Sequence, residues 1–425
     1  VDALHPQDNE HMSVTDILSE SNRAESGIIG RCFITVSSIN MWWVFVLALA
    51  WRIIRVIALR DGLQWPDTAS YDEVARNLLA GNGFVLNCGD AAARTPGYPL
   101  FLAACYSLSG VELARWMQAI IGAATVFPIC ILGRRLFGVR CGRIAALMVA
   151  INPTAIYFCG TLLTETLFAI LLACAVLALG CMLVENKASP FAAVMTGILL
   201  GASSLVRPSA LLIPLFLIPV WIILRGISRR TIMELALIAV GNWLALSPWI
   251  IRNYGIYHCY VPGSLRSGES LYEALGPHAD GGPSLDRMPR PAGSADPDEW
   301  RRNESFKNAA KEYALANPGR TVSLIAAKQL RFWNFMPNAA GYRNGGEMLL
   351  IATFVLPVYV LAVFAILVDP GNWKKMIPAL WPAFYFAGIH CIFVGSMRYR
   401  EPVMPMLCIL SAHGLILLAG IKEKD

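Results

Sequence analysis

Long apolar runs joined by short polar links make up most of the chain from Met41 to Gly420. Runs over residues 41–59, 115–133, 144–161, 166–184, 190–206, 208–224, 231–251, 348–368, 376–395 and 402–420 each come close to the length a helix needs to cross a bilayer. The pattern predicts an all-α polytopic membrane protein of about ten transmembrane helices. Residues 98–110 are apolar as well, but the stretch is short and follows Pro96 and Pro99, which predicts an interfacial or re-entrant helix. Two longer polar stretches interrupt the runs. Residues 65–84 place Tyr71, Val74, Ala75, Leu78 and Leu79 on one face of a helix lying flat on the membrane, within an external loop 60–97. Asp67 just before that helix reads as its N-cap, Ser70 and Glu73 have capping-box spacing, and Gly81 or Gly83 can end it. Residues 252–346 hold 20 charged residues between positions 253 and 345, a density that predicts a small external domain between spans 7 and 8. Inside it, 298–316 and 320–335 read as helices, and the Gly- and Pro-rich stretch 276–293 reads as a loop. The second helix ends in Arg331, Phe332, Trp333, Asn334 and Phe335, the aromatic and basic mixture of a membrane-surface segment.

Composition removes the soluble alternative: 56% of the 425 residues are apolar and 15% charged, against about a quarter charged in soluble proteins. The net charge of +6 does not indicate nucleic acid, because the basic residues cluster in short links between apolar runs. With 98–110 not crossing, Arg134, Arg135, Arg140, Arg143, Lys187, Arg225, Arg229, Arg230, Lys374, Lys375, Lys422 and Lys424 fall on one side. The other side's short loops hold chiefly Arg207, Arg398 and Arg400, so the bias predicts both termini in the cytoplasm of a multi-pass cell-membrane protein. Residues 1–38, acidic and without a sustained stripe, read as a poorly ordered cytoplasmic tail, with Met12 or Met41 as alternative starts. The remaining divisions are a membrane core 39–251, the external domain 252–346, spans 8–10 over 347–420 and a cytoplasmic end 421–425. Most of the 11 cysteines lie in apolar runs, and none has metal-ligand spacing, which predicts packing residues. Cys88 and Cys259, both in external segments, are the pair a disulfide would join if one forms.

Several segments share a common likeness. An aspartate followed by SYDEVARNLLAGNGF and RTPGYPLFLA, then LTETLFAILL, GILLGASSLVRPSALLIP, SPWIIRNYGIY, VPGSLRSGESLYEALG, ANPGRTVSLIAAKQLRFW and MRYREPVMP, occur in order across nearly the whole chain from Met41. Together they resemble the GT-C glycosyltransferases, in the branch of dolichyl-phosphate-mannose protein mannosyltransferases and bacterial aminoarabinose transferases. The resemblance implies an inverting transferase that moves a sugar from a polyprenyl-phosphate carrier to a protein, lipid or glycan acceptor at the extracytoplasmic face. Asp67 matches the family's first-loop aspartate, the base candidate, and Glu165 is kept as a second acid, with helix capping as its alternative. Arg94 precedes the TPGYP turn where the aminoarabinose transferases carry a basic residue near the donor phosphate. Arg207 and Arg398 are flanked by apolar sequence, where an unpaired charge is expensive. They read either as donor-phosphate ligands or as structural ion pairs with Glu165 or Asp67. Tyr71, Glu269 and Tyr272 are carried over as substrate-loop residues, with loop packing as the alternative, and Arg252 and Asn253 as residues that orient the external domain. No motif requires a cofactor. Some aminoarabinose transferases bind a metal through a first-loop acid and an external histidine; this loop offers no Glu next to Arg94, so a divalent metal stays an open alternative. The competing class is a lipid or sugar transporter or flippase without transferase chemistry, which would carry charge at mid-bilayer.

Overall fold

The computed structural model describes residues 39–59, 66–185, 189–283, 288–336 and 345–420. The tail 1–38, Lys187, Lys422 and Lys424 lie outside the described residues. Within them every regular element is helical. In chain order these are α1 (Met41–Ala58), α2 (Pro66–Leu79), α3 (Gly97–Ala124), α4 (Val126–Phe137), α5 (Val139–Ile151), α6 (Pro153–Gly160), α7 (Glu165–Glu185), α8 (Pro190–Val206) and α9 (Ile213–Arg225). They continue with α10 (Arg229–Tyr257), α11 (Ser267–Leu275), α12 (Glu299–Ala316), α13 (Pro318–Trp333), α14 (Gly345–Val368), α15 (Trp373–Ile392), α16 (Met397–Arg400) and α17 (Met404–Leu418).

Among the described residues, seven helical stretches are long and apolar enough to cross a membrane, or eight if α5 and α6, bent by 50° at Asn152, count as one. The apolar α8, at 17 residues, is just shorter. Local chemistry explains where these helices begin. Asn40, Ser189 and Ser228 cap α1, α8 and α10 by accepting the N–H groups of Trp42, Ala192 and Thr231. Tight links at Gly138 (φ 96°) and Gly226 (φ 73°) use backbone that side chains with a Cβ adopt poorly.

The stretch from Gly97 breaks at Ser109 and Gly110. The Tyr98 hydroxyl donates to Gln118 Oε1 at 2.6 Å. Residues 20 apart on a straight helix would be about 30 Å apart, so the segment before the break folds back on the segment after it. That short first limb packs against α2, where the Tyr106 hydroxyl donates to Asp72 at 2.8 Å.

Helices α8 and α10 cross closely because glycines face each other's backbone. A Cβ at Gly197 would collide with the carbonyl of Ile238, and one at Gly241 with that of Val194. Gly241→Leu is expected to lower the thermal stability of the detergent-solubilised protein by roughly 1–3 kcal/mol or more. Gly255→Leu, on the same helix with open space around it, is expected to change little, and equal losses in the two variants would contradict this packing.

Helices α11 to α13 form a small separate unit around Tyr272, Met288, Phe306 and Leu324. Asp298 caps α12 through the N–H of Arg301 at 2.9 Å, and α13 starts at Pro318, both near the boundaries the sequence suggests. The loop between α2 and α3 is tied to this unit. Glu299 accepts the N–H groups of Ala91 and Ala92 at 2.8 and 3.0 Å and the Tyr257 hydroxyl. Burial pushes its carboxyl pKa up, even against those bonds. Arg252 donates to the carbonyls of Phe84 and Ala91, Asn253 to that of Val261 at 3.0 Å, and Arg302 pairs with Asp90. On the membrane side, the buried Lys328 of α13 donates to the carbonyls of Cys391 and Ile392 at the end of α15, at 3.2 and 2.8 Å. Burial lowers its ammonium pKa to about 8. Cys88 and Cys259 are free thiols, so the disulfide raised from the sequence is not formed.

Candidate active site at the junction of the first loop and the spans

Five of the charged residues singled out from the sequence meet in one chain of ion pairs. Asp67, in the first turn of α2, accepts Arg94 Nη2 through Oδ1 at 2.8 Å and Arg398 Nη1 through Oδ2 at 2.8 Å. Arg398 in turn donates its Nε to Glu165 Oε1, and Arg207 Nη2 reaches the same oxygen at 3.3 Å. The segments that supply them are the start of α2, the loop before α3, the start of α7, the residue after α8, and α16. Each side chain thus sits at the end of a helix or in a link.

Aromatic rings and small groups fix the guanidinium planes. Arg94 lies over the Tyr71 ring at 4.7 Å and donates its Nε to Ser70 Oγ at 2.9 Å. Arg207 lies over the Tyr399 ring at 5.0 Å. Tyr399 stacks on His390 with ring centroids 4.7 Å apart, and His390 stacks on Phe332 at 5.4 Å, so α13 props the Arg207 end of the cluster. The Gly97 turn presses on the end of α8, where a Cβ would meet the Leu205 carbonyl at 2.9 Å; this close approach sets Arg94 beside α2.

The two carboxylates of the cluster differ sharply in exposure. The Asp67 side chain is 36% exposed, those of Arg94, Arg398 and Arg207 are 11–14% exposed, and that of Glu165 is 2% exposed. Asp67 is therefore the carboxylate that an incoming group can reach. Burial by itself would raise its pKa, but the guanidiniums of Arg94 and Arg398 outweigh that and hold the carboxyl well below the usual carboxylate range. Three arginines against two carboxylates leave a formal charge of +1, an arrangement suited to an anion.

The helix-cap reading of Asp67 is corrected by this geometry. Its carboxylate oxygens go to two arginines, and the capping box does not form. Ser70 Oγ instead donates to the Asp67 carbonyl at 2.9 Å, while Glu73 accepts the N–H of Asn87 at 2.5 Å. Tyr71 lies in the site through its contact with Arg94. Glu269 and Tyr272 are not brought into the ion-pair chain. Glu269 pairs with Arg266 at 3.1 Å, and the Tyr272 hydroxyl donates to the Pro289 carbonyl at 2.8 Å inside the core of the α11–α13 unit. Neighbouring Glu273 is the residue of that segment in electrostatic reach of Tyr399.

Sequence reasoning passed over Arg52, Asn152 and Glu401, which lie buried just behind Glu165. The signal was present: Arg52 and Arg55 are the two charges inside the first apolar run, and Glu401 follows Arg398 and Arg400 in MRYREPVMP. Among the described residues, no three His, Cys, Asp or Glu side chains form a group that could hold a metal ion. Both acids of the cluster are engaged by guanidiniums and the cluster is net positive. This donor set does not fit a divalent cation.

Residues 93–251 match the sequence family described as dolichyl-phosphate-mannose-protein mannosyltransferase. No curated protein matches the chain. In structure the chain is similar to the oligosaccharyltransferase AglB of the archaeon Archaeoglobus fulgidus. In that enzyme's complex with an inhibitory peptide and a dolichol-phosphate the identity is 12% and the TM-score 0.53, over 92% of this chain and 51% of that one. In its complex with zinc and sulfate the values are 13% and 0.53, over 89% and 51%. This chain thus spans about half the length of the archaeal enzyme. ArnT from Cupriavidus metallidurans, bound to undecaprenyl phosphate, aligns at 15% identity and a TM-score of 0.43 over 92% of this chain and 78% of that one. The fold is that of the polytopic GT-C class. The stretch that matches the mannosyltransferase family holds Arg94, Glu165 and Arg207.

Proposed function

We propose that the protein is an inverting glycosyltransferase that takes a sugar from a polyprenyl-phosphate carrier and places it on an acceptor at the extracytoplasmic face of the cell membrane. The observation that carries this reading is the net-positive cluster of Arg94, Arg398 and Arg207 around one accessible carboxylate. Phosphate is a bidentate partner for arginine, and a hydroxyl acceptor needs a base beside it. The family match and the dolichol-phosphate held by the archaeal relative support the same donor chemistry.

In this mechanism the acceptor hydroxyl oxygen attacks the anomeric carbon from the face opposite the phosphate. The bond from that carbon to the phosphate oxygen breaks, and its electron pair leaves with the polyprenyl phosphate, which the arginines stabilise. Asp67 takes the hydroxyl proton. In the resting site Asp67 is a weak base because Arg94 and Arg398 hold it ionised. A donor phosphate competes for the same guanidiniums, and as it draws them away the carboxylate becomes more basic. Glu165, almost fully buried, keeps Arg398 and Arg207 aimed.

Binding tests this directly. Polyprenyl monophosphate without a sugar is expected to stabilise the purified protein against heat in a salt-sensitive way, and the Asp67→Asn protein is expected to bind it at least as tightly, since a competing anion is gone. Absence of any shift with wild-type protein would count against the donor assignment.

Orientation follows from the basic bias. Arg134, Arg135, Arg225, Arg229, Arg230, Lys374 and Lys375 lie at the helix ends away from the cluster and are assigned to the cytoplasm, with both termini. Reporter fusions ending at Ser228 and at Gly282 are expected to fall on opposite sides of the membrane. Finding both on one side would overturn the ten-span, outward-facing topology.

A further inference from the structure

A second polar cluster lies behind the candidate active site. Arg52 of α1 is 1% exposed, and its Nη1 donates to the carbonyls of Ala48 and Ala150 at 2.9 and 3.2 Å. Glu401, in the turn after α16, is 5% exposed and accepts Asn152 Nδ2 through Oε1 at 2.6 Å. Each of these side chains has one polar atom with no hydrogen bond in the protein: Arg52 Nε and Glu401 Oε2. Glu165 Oε2 is in the same condition, while its other oxygen holds Arg398 and Arg207.

All three residues line one cavity of about 30 Å³, together with Thr125 and Thr166. A water needs about 10–15 Å³ of such space and two to four polar partners. One N–H donor and two carboxylate oxygens match what a single water accepts and donates. Leaving three such atoms unpaired in the interior is costly, and most costly on charged groups.

We infer that Arg52 and Glu401 are positioning residues for the candidate active site, acting on Glu165 through a buried water that accepts from Arg52 Nε and donates to Glu401 Oε2 and Glu165 Oε2. Arg52 is the cation that allows the two acids to face one cavity. Glu165 is thereby held from behind, and its outward oxygen keeps Arg398 turned toward Asp67. The other ionisable groups in electrostatic reach are Arg400, Tyr359 and Cys408 on Glu401, Cys159 on Arg52, and Tyr98, Arg398 and Arg207 on Glu165. The consequence for Arg398 rests on the function proposed above; the link among Arg52, Glu401 and Glu165 does not.

Infrared difference spectra of the purified protein separate the two claims, since they need no substrate. Arg52→Met nearly conserves volume and leaves two anionic acids facing each other, so one is expected to take up a proton at neutral pH. A protonated-carboxyl band stronger than that of wild type is expected, and the gain is expected to vanish in Arg52→Met/Glu401→Gln. If Arg52→Met does not survive extraction, Glu401→Gln alone serves. Its difference spectrum is expected to show a shifted carboxylate band from Glu165 beside the lost one. In transfer assays the donor KM of Arg52→Met is expected to rise about tenfold, with kcat changed much less, and to recover in the double variant. An unchanged carboxyl spectrum in a folded Arg52→Met protein, or only a single lost band in Glu401→Gln, would overturn the inference. Lack of transfer by wild type would instead overturn the functional reading while the spectra still decide the link.

Discussion

Asp67→Asn is expected to lower turnover by roughly a hundredfold or more, with folding and donor binding largely kept. Asparagine occupies the same space and its carbonyl oxygen still accepts a hydrogen bond from Arg94 or Arg398, so the arginine cluster does not collapse. What is lost is the group that accepts the acceptor's proton. The side chain is also the most exposed of the five, so little packing is disturbed. Stability carries a second signature. The native carboxyl sits well below its usual value of about 4, so its contribution to folding is present above that pH. As the pH falls through the lowered native value the contribution is lost, and this acid-side loss is expected to be smaller in Asp67→Asn. Steady-state kinetics with saturating donor, beside a thermal melt, measure both. Near-normal turnover by a folded Asp67→Asn protein would remove Asp67 from the chemistry and leave Glu165 as the next acid to test.

Arg398→Ala is expected to do more widespread damage, because this arginine is the only one in the cluster that touches both carboxylates. Its loss takes the cluster from +1 to neutral, weakens donor binding, and raises the barrier to phosphate departure. A fall of about 10²–10³ in kcat/KM is the expected scale for removing a cation from a site of developing charge. Glu165 keeps Arg207, so the buried acid is not left without a partner. Arg398→Lys is expected to recover little, since one ammonium cannot reproduce the two-sided contact of a planar guanidinium. A lysine variant with wild-type donor KM would show that charge alone suffices and would contradict the geometric role.

The helices were legible in the sequence to the extent that one physical signal dominated. Long apolar runs locate the hydrophobic helices of the membrane part, and Asp298 marks the start of α12 because a cap acts locally; α13 starts at Pro318, before the Arg320 that the sequence suggests, because proline fits the first turn of a helix as well as it stops the one before. The membership of the charged cluster was also legible. Arg207 and Arg398 stand out because apolar sequence surrounds them, and a charge there must have a partner. The pairing was open at that stage, since the partners come from positions 67, 94, 165, 207 and 398 and only the packing of helix ends joins them. Local rules misled at Asp67, where the spacing fits a cap but two guanidiniums outcompete the backbone N–H groups for its oxygens. Glu269 and Tyr272 were carried over with loop packing as their alternative, and for Tyr272 the helical phase of α11 gives the packing: it turns the ring into the core of the α11–α13 unit. Arg52 and Glu401 escaped notice because their role depends on a cavity, and no spacing rule reports a cavity.

Transfer itself is the measurement that bears most directly on the central claim. Purified protein in lipid nanodiscs, offered a panel of polyprenyl-phosphate sugars with membrane and periplasmic acceptors, is expected to release polyprenyl phosphate and place one of the sugars on an acceptor with inverted anomeric configuration. The Asp67→Asn protein run in parallel is expected to leave the donor intact. An intact donor throughout the panel, with lipid-linked sugar instead moved between leaflets by wild-type protein, would contradict the transferase account and favour a transporter.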